Sequence, residues 1–106
     1  VSDRLTHTAR LWLWAGEGNG SWHFLSIDGE AAETIRAHEA MRRLELGKGR
    51  GFGSVKVAAA IGKSRWTTSV FPSAPHKGYV LPVKAAVRKA EGIAAGDMVE
   101  VVLELL

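Results

Sequence analysis

No aspartate or glutamate lies between Glu45 and Glu91 of this 106-residue chain, and no cysteine occurs anywhere in it. The first absence leaves nine of the fourteen Lys and Arg side chains without an acidic neighbour in sequence: Lys48, Arg50, Lys56, Lys63, Arg65, Lys77, Lys84, Arg88 and Lys89. The other positions carry five basic and eleven acidic residues, so the net charge of +3 conceals a basic middle and an acidic remainder. A cationic block of this kind favours an anionic partner, a small anion or a nucleic acid, because fixed acids would cancel the Coulomb gain. It also excludes a carboxylate base, or a carboxylate that orients a histidine, from that part of the chain. The second absence excludes disulfides and thiolate metal sites, so stability rests on packing.

Long apolar runs are missing too. No stretch approaches the roughly 20 apolar residues of a membrane span, and Arg4, His7 and Arg10 interrupt the run that a signal peptide would need. The expectation is a cytoplasmic protein with no membrane partner. With 46% hydrophobic and 24% charged residues, the chain has the make-up of one domain, residues 1–106.

What is present is mostly strand pattern. Leu5 to Trp14 alternates, with Leu5, His7, Ala9, Leu11 and Leu13 on one face and Thr6, Thr8, Arg10, Trp12 and Trp14 on the other. Gly16, Gly18, Asn19 and Gly20 supply a turn, and Trp22 to Ile27 forms the hairpin partner. Asp28 suits the N-cap of a helix running to about Leu46, anchored by Ile35, Met41 and Leu44. Val55 to Ile61 is a strand closed by Gly62 and Lys63, and Arg65 to Phe71 is its partner before Pro72 and Pro75 break the ladder. Tyr79 to Leu81 is a short strand. Val83, Val87 and Ala90 mark one stripe of a second helix ending at Gly92, and Val99 to Leu105 is a last strand with one apolar face.

Motifs for chemistry are sparse. Gly47, Gly49, Gly51 and Gly53 interleave with Lys48 and Arg50, but the loop follows a helix and enters a strand, the reverse of a phosphate-binding loop, so it reads as a connector. Arg50 to Val57 is similar to the octamer of RNA-recognition motifs, yet Ser54 and Val57 stand where aromatics belong. Trp12 and Trp14 share a face with Arg10, which suits stacking on a ring, although packing is the stronger reading. Lys84 and Arg88 sit four apart, a like-charge pair that an anion would relieve; Arg88 and Lys89 also suit a helix C-terminus. His7, His23, His38 and His76 show no metal spacing, and His76 reads as an exposed loop residue. Ser69 lacks a nucleophile elbow. Neither enzyme chemistry nor a cofactor is expected.

The ordered set Gly53-Ser54-Val55-Lys56-Val57, Ile61-Gly62, Trp66 to Pro72, Gly78 to Val83, Val87-Arg88, Gly92-Ile93 and Gly96-Asp97 resembles the domain-of-unknown-function family DUF1905. Asp28-Gly29 stands where that family usually opens its first helix with proline. The resemblance implies a mainly β (α+β) fold, a small double-split β-barrel of about six strands capped by two helices, as in the AbrB and MazE type of DNA-binding protein. Gly78 to Val101 is also distantly similar to the AbrB signature, with a longer interval from Pro82 to Gly92.

The expected function is that of a non-enzymatic binding or accessory domain, monomeric or weakly dimeric. Its candidate residues for an anionic ligand or nucleic acid are Arg50, Lys56, Lys63, Arg65, Lys77, Arg88 and Lys89. Two rivals stand beside it: an AbrB-like nucleic-acid binder, and a metabolite receptor or enzyme with a pocket among Trp66, Ser69, Tyr79 and Arg88.

Overall fold

The computed structural model describes residues 4–15, 21–46 and 53–106. Seven strands and two helices follow one another as β1 (Arg4–Arg10), β2 (Trp12–Ala15), β3 (Ser21–Ile27), α1 (Gly29–Leu46), β4 (Val55–Ile61), β5 (Ser64–Ser73), β6 (Gly78–Pro82), α2 (Ala85–Glu91) and β7 (Met98–Leu105). A 3-10 turn, Ala74–His76, joins β5 to β6. The strands form one antiparallel sheet in the order β1-β7-β4-β5-β6-β3-β2. Its two outer strands are consecutive in sequence, so the sheet curls and the chain joins its edges. This is the expected mainly β, double-split barrel with two helices, built from seven strands rather than about six.

The extra strand comes from Leu11. Alternation runs on through it, but its N–H donates to the Asp97 carbonyl at 2.9 Å and its own carbonyl accepts from Gly96 at 2.7 Å. The chain therefore pairs with β7 before Leu11 and with β3 after it. β5 makes the second switch, pairing with β4 through Val70 and with β6 from Phe71 to Ser73. Pro72 and Ser73 thus still belong to the ladder. The long apolar β7 is paired on both sides, with β1 and with β4, which leaves no free strand edge there.

One core fills the barrel. Leu25, Ile27, Val57, Val70, Leu81, Val101 and Leu103 are fully buried, and no polar or charged residue joins them among the described residues. Every second strand residue faces inward, as in β4 (Val55, Val57, Ala59, Ile61) and β7 (Val99, Val101, Leu103, Leu105). Gly78 sits where β3, β6 and α1 meet, and a Cβ there would overlap the Ile27 carbonyl oxygen and crowd Ala32. The β4–β5 hairpin turns at Gly62, whose φ of 57° suits the first central position of a two-residue turn.

The helices dock unequally. α1 buries Ala32 and Ile35, but Met41 and Leu44, expected as anchors, are exposed. The far half of α1 is instead tied to the C-terminal residue, whose carbonyl accepts from Arg42 at 2.9 Å and lies 3.2 Å from His38 Nε2. Asp28 precedes the helix as expected; its carbonyl accepts from Ala32, and its carboxylate lies 3.9 Å from His7. α2 buries Val87 and packs Val83 before it, while Ala90 is exposed. Gly92 ends it in the left-handed conformation, with bonds back to the Arg88 and Lys89 carbonyls. No helix is long and apolar enough to cross a membrane among the described residues.

Candidate functional site

Pro82 sets the site in place. It ends β6, and the next residue, Val83, adds one further bond to the sheet by donating to the His23 carbonyl at 2.9 Å. Lys84 stays extended, and α2 begins at Ala85. One turn on, Arg88 Nε donates back to the Val83 carbonyl at 3.2 Å. At the far end of α2 the Glu91 carboxylate takes the Ser64 hydroxyl at 2.6 Å and lies 3.4 Å from the Lys63 amide. The short helix is thus tied to β3 through Val83 at one end and to β5 through Glu91 and Ser64 at the other.

Beneath it lies a cavity of about 420 Å³, lined by Ser21, Trp22 and His23 from β3, Trp66, Thr67 and Thr68 from β5, and Pro82 to Ala85 with Arg88. No acidic residue is in that lining. The Nδ1 atom of His23 is buried without a hydrogen-bond partner. Burial, and then the positive charge of Arg88, push the His23 imidazole below its usual value of 6.5, so it is neutral at neutral pH. Arg88 spends its Nε on a carbonyl, and among the described residues neither it nor Lys84 has an acidic partner within ion-pair distance. Two cations and a neutral imidazole around one opening, with Thr67 and Thr68 in its lining, can neutralise and hydrogen-bond an anion.

A second concavity adjoins the first. It is a groove of about 470 Å³ on the outer surface of β2, β3, β6 and the end of β5, lined by Trp12, Trp14, Trp22, Phe24, Phe71, Ser73, His76, Val80 and Pro82. Trp12 stands opposite Phe24 and Trp14 opposite Trp22 in the β2–β3 register, so alternation puts all four rings outside. Trp12 stacks on His76 with centroids 4.7 Å apart, and Trp22 lies parallel to Phe24 at 6.2 Å. His76 is therefore half-buried against an indole rather than an exposed loop residue. Trp14 and Trp22 keep 49% and 54% of their surface exposed, so neither is core.

The other expected basic residues do not converge on this site. Lys56 and Arg65 lie on one outer face, since Lys56 pairs with Ser69 and Arg65 with Ala60, but four residues of strand, about 13 Å, separate them. Arg65 instead lines a smaller cavity of about 250 Å³ with Arg4 and Glu104. Lys63 is in the β4–β5 turn beside Glu91, Lys77 follows the 3-10 turn, and Lys89 points outward on α2. Arg50 and the glycine loop up to residue 52 lie outside the described residues, as does the turn of residues 16–20. Of the pocket expected among Trp66, Ser69, Tyr79 and Arg88, only Trp66 and Arg88 meet. Ser69 is paired with Lys56, and Tyr79 is buried where it feels Arg36 and Glu39 of α1. That burial raises the Tyr79 phenol above its usual value of 10.0.

His23, Thr67, Thr68 and Lys84 complete the cavity, and sequence reasoning did not place them there. Their common signal was the Pro82-Val83-Lys84 break between strand and helix, which becomes informative only once β6 is known to lie beside β3. Among the described residues, no group of three or more His, Cys, Asp or Glu could hold a metal ion. The family described as "Domain of unknown function (DUF1905)" matches residues 7–103, nearly the whole chain. No curated protein matches it.

Proposed function

The chain belongs to the DUF1905 family, and for it we propose a non-enzymatic binding domain that takes an anionic group, such as a phosphate, into the cavity beneath α2. Lys84 and Arg88 supply charge, and the Thr67 and Thr68 hydroxyls supply donors. The observation that carries this reading is a cavity lined by two cations and no acid, whereas Arg65 shares its cavity with Glu104 and the Lys63 turn lies beside Glu91. Leaving Lys84 and Arg88 four residues apart without an acid costs stability that a bound anion returns. Because Arg88 is half-buried, its field is screened less than that of a surface lysine.

Chemical-shift mapping with pyrophosphate at low salt tests the reading. Backbone amides at Thr67, Thr68, Lys84, Ala85 and Arg88 are expected to move together and saturate. Shifts confined to the Lys56–Arg65 face, or none that saturate, would overturn it.

A further inference from the structure

We propose that the aromatic groove holds bases of a single-stranded nucleic acid while a phosphate of the same strand occupies the Lys84–Arg88 cavity; this rests on the anion reading of that cavity. Trp22 and Pro82 line both concavities, so the apolar groove and the cationic cavity adjoin at these two residues. A ligand spanning them must be flat and apolar at one end and anionic at the other. A nucleotide unit has that division.

The groove's own polarity narrows the choice. Trp12 Nε1 already donates to Ser26 at 2.8 Å, and the Ser73 hydroxyl is paired with His76 at 2.8 Å. A sugar, with a hydroxyl on nearly every carbon, would find few free partners there, whereas a stacked base needs only a face. Width argues for a strand over a single nucleotide. The register runs from Trp14 and Trp22 through Phe24 and Pro82 to Phe71 beside Val80, which crosses three strand spacings, about 14 Å, wider than one base. Half-exposed Trp14 and Trp22 offer the open faces, since one face of Trp12 is covered by His76. Stacking of this kind accepts any base, so little sequence preference is expected.

The test compares four probes on the full chain at fixed low salt: a thymidine decanucleotide, inorganic polyphosphate of matched charge, thymidine monophosphate and a ten-base-pair duplex. The decanucleotide should bind at least about tenfold more tightly than the other three. Trp22→Ala should weaken it about tenfold and Trp14→Ala somewhat less, with polyphosphate affinity unchanged within about twofold in Trp14→Ala, whose side chain lines the groove and not the anion cavity. Both side chains are half-exposed, so both variants should keep the wild-type circular dichroism and melting transition. Equal affinity for decanucleotide and polyphosphate, both lost in Arg88→Gln, would overturn the stacking proposal and leave the anion cavity standing. A mononucleotide or duplex bound as tightly as the decanucleotide would likewise overturn it. Binding of every probe unaffected by Arg88→Gln would overturn the cavity reading itself.

Discussion

Outside the β1–β7–β4 half of the barrel, Arg4 stands opposite Glu104 and Thr8 opposite Glu100. Outside the β2–β3–β6 half, the equivalent positions hold Trp12 opposite Phe24 and Trp14 opposite Trp22. The inner faces of the two halves are alike, with Val57, Val101 and Leu103 on one side and Leu25, Ile27 and Leu81 on the other, all fully buried. The fold accepts a charged and polar exterior on the β1–β7–β4 half, so the aromatic exterior is not something folding demands. The charged half also exposes Met98, but the exposed aromatic rings among the described residues, Trp14, Trp22 and Phe71, gather on the other half, and that is the ground for proposing that something binds there. The acid-free cavity opens beside the same half.

The largest effect should show that the halves share one core. Leu81→Ala in the aromatic half and Leu103→Ala in the charged half should each cost about 2–5 kcal/mol, and each variant should unfold in a single denaturant transition. Two separable transitions would mean that the halves fold independently, and the comparison would lose its basis. Next in size, Gly78→Ala should cost about 1–3 kcal/mol, because a methyl group there runs into the Ile27 carbonyl and Ala32. Thermal melts that matched wild type would show that α1 is not packed so closely on that strand.

A pH effect should belong to the aromatic half. Folding lowers the proton affinity of His23, so below 6.5 the unfolded chain takes the proton more readily. Its contribution to stability is full above 6.5 and is lost as pH falls through the lower folded value. Replacing His23 with Gln should therefore flatten the decline of stability between neutral and mildly acidic pH; an unchanged decline would assign it to other groups. An anion beside Arg88 should raise the His23 value again, so sulfate, whose charge is constant over this range, should bind more tightly as pH falls. The smallest effect concerns the outer rings: Trp14→Ala and Trp22→Ala should each cost less than about 1 kcal/mol of stability. A loss the size of a core truncation would make these rings structural and remove the contrast between the two exteriors.

Much of the barrel was legible because β4 and β7 alternate cleanly, and because glycines flank β4 and precede β7. The division of the first strand was not, since both halves of the sheet use the same two-residue period and the switch at Leu11 depends on the distant Gly96–Asp97 turn. Met41 and Leu44 fit an apolar helix stripe, but both side chains are exposed, and the far half of α1 is held through His38 and Arg42 at the Leu106 carbonyl instead. The basic block was legible as sequence and misleading as a surface. In space, Glu104 of β7 flanks the groove that holds Arg65, and Glu91 sits beside the Lys63 turn. Arg88 and Trp66 could be picked out by residue type. His23, Thr67 and Thr68 could not, because only the β3–β6 pairing and the bridging of β5 by α2 bring them to one cavity.

Two arginines from the acid-free block decide between the halves. Arg88 lines the cavity beside the aromatic exterior, and Arg65 lies on the charged exterior with Arg4 and Glu104. Calorimetric titration with pyrophosphate should show Arg88→Gln weakening binding at least about tenfold, the loss of one charge-assisted contact, and Arg65→Gln leaving it unchanged. The opposite pattern, binding lost with Arg65 and kept without Arg88, would contradict the account.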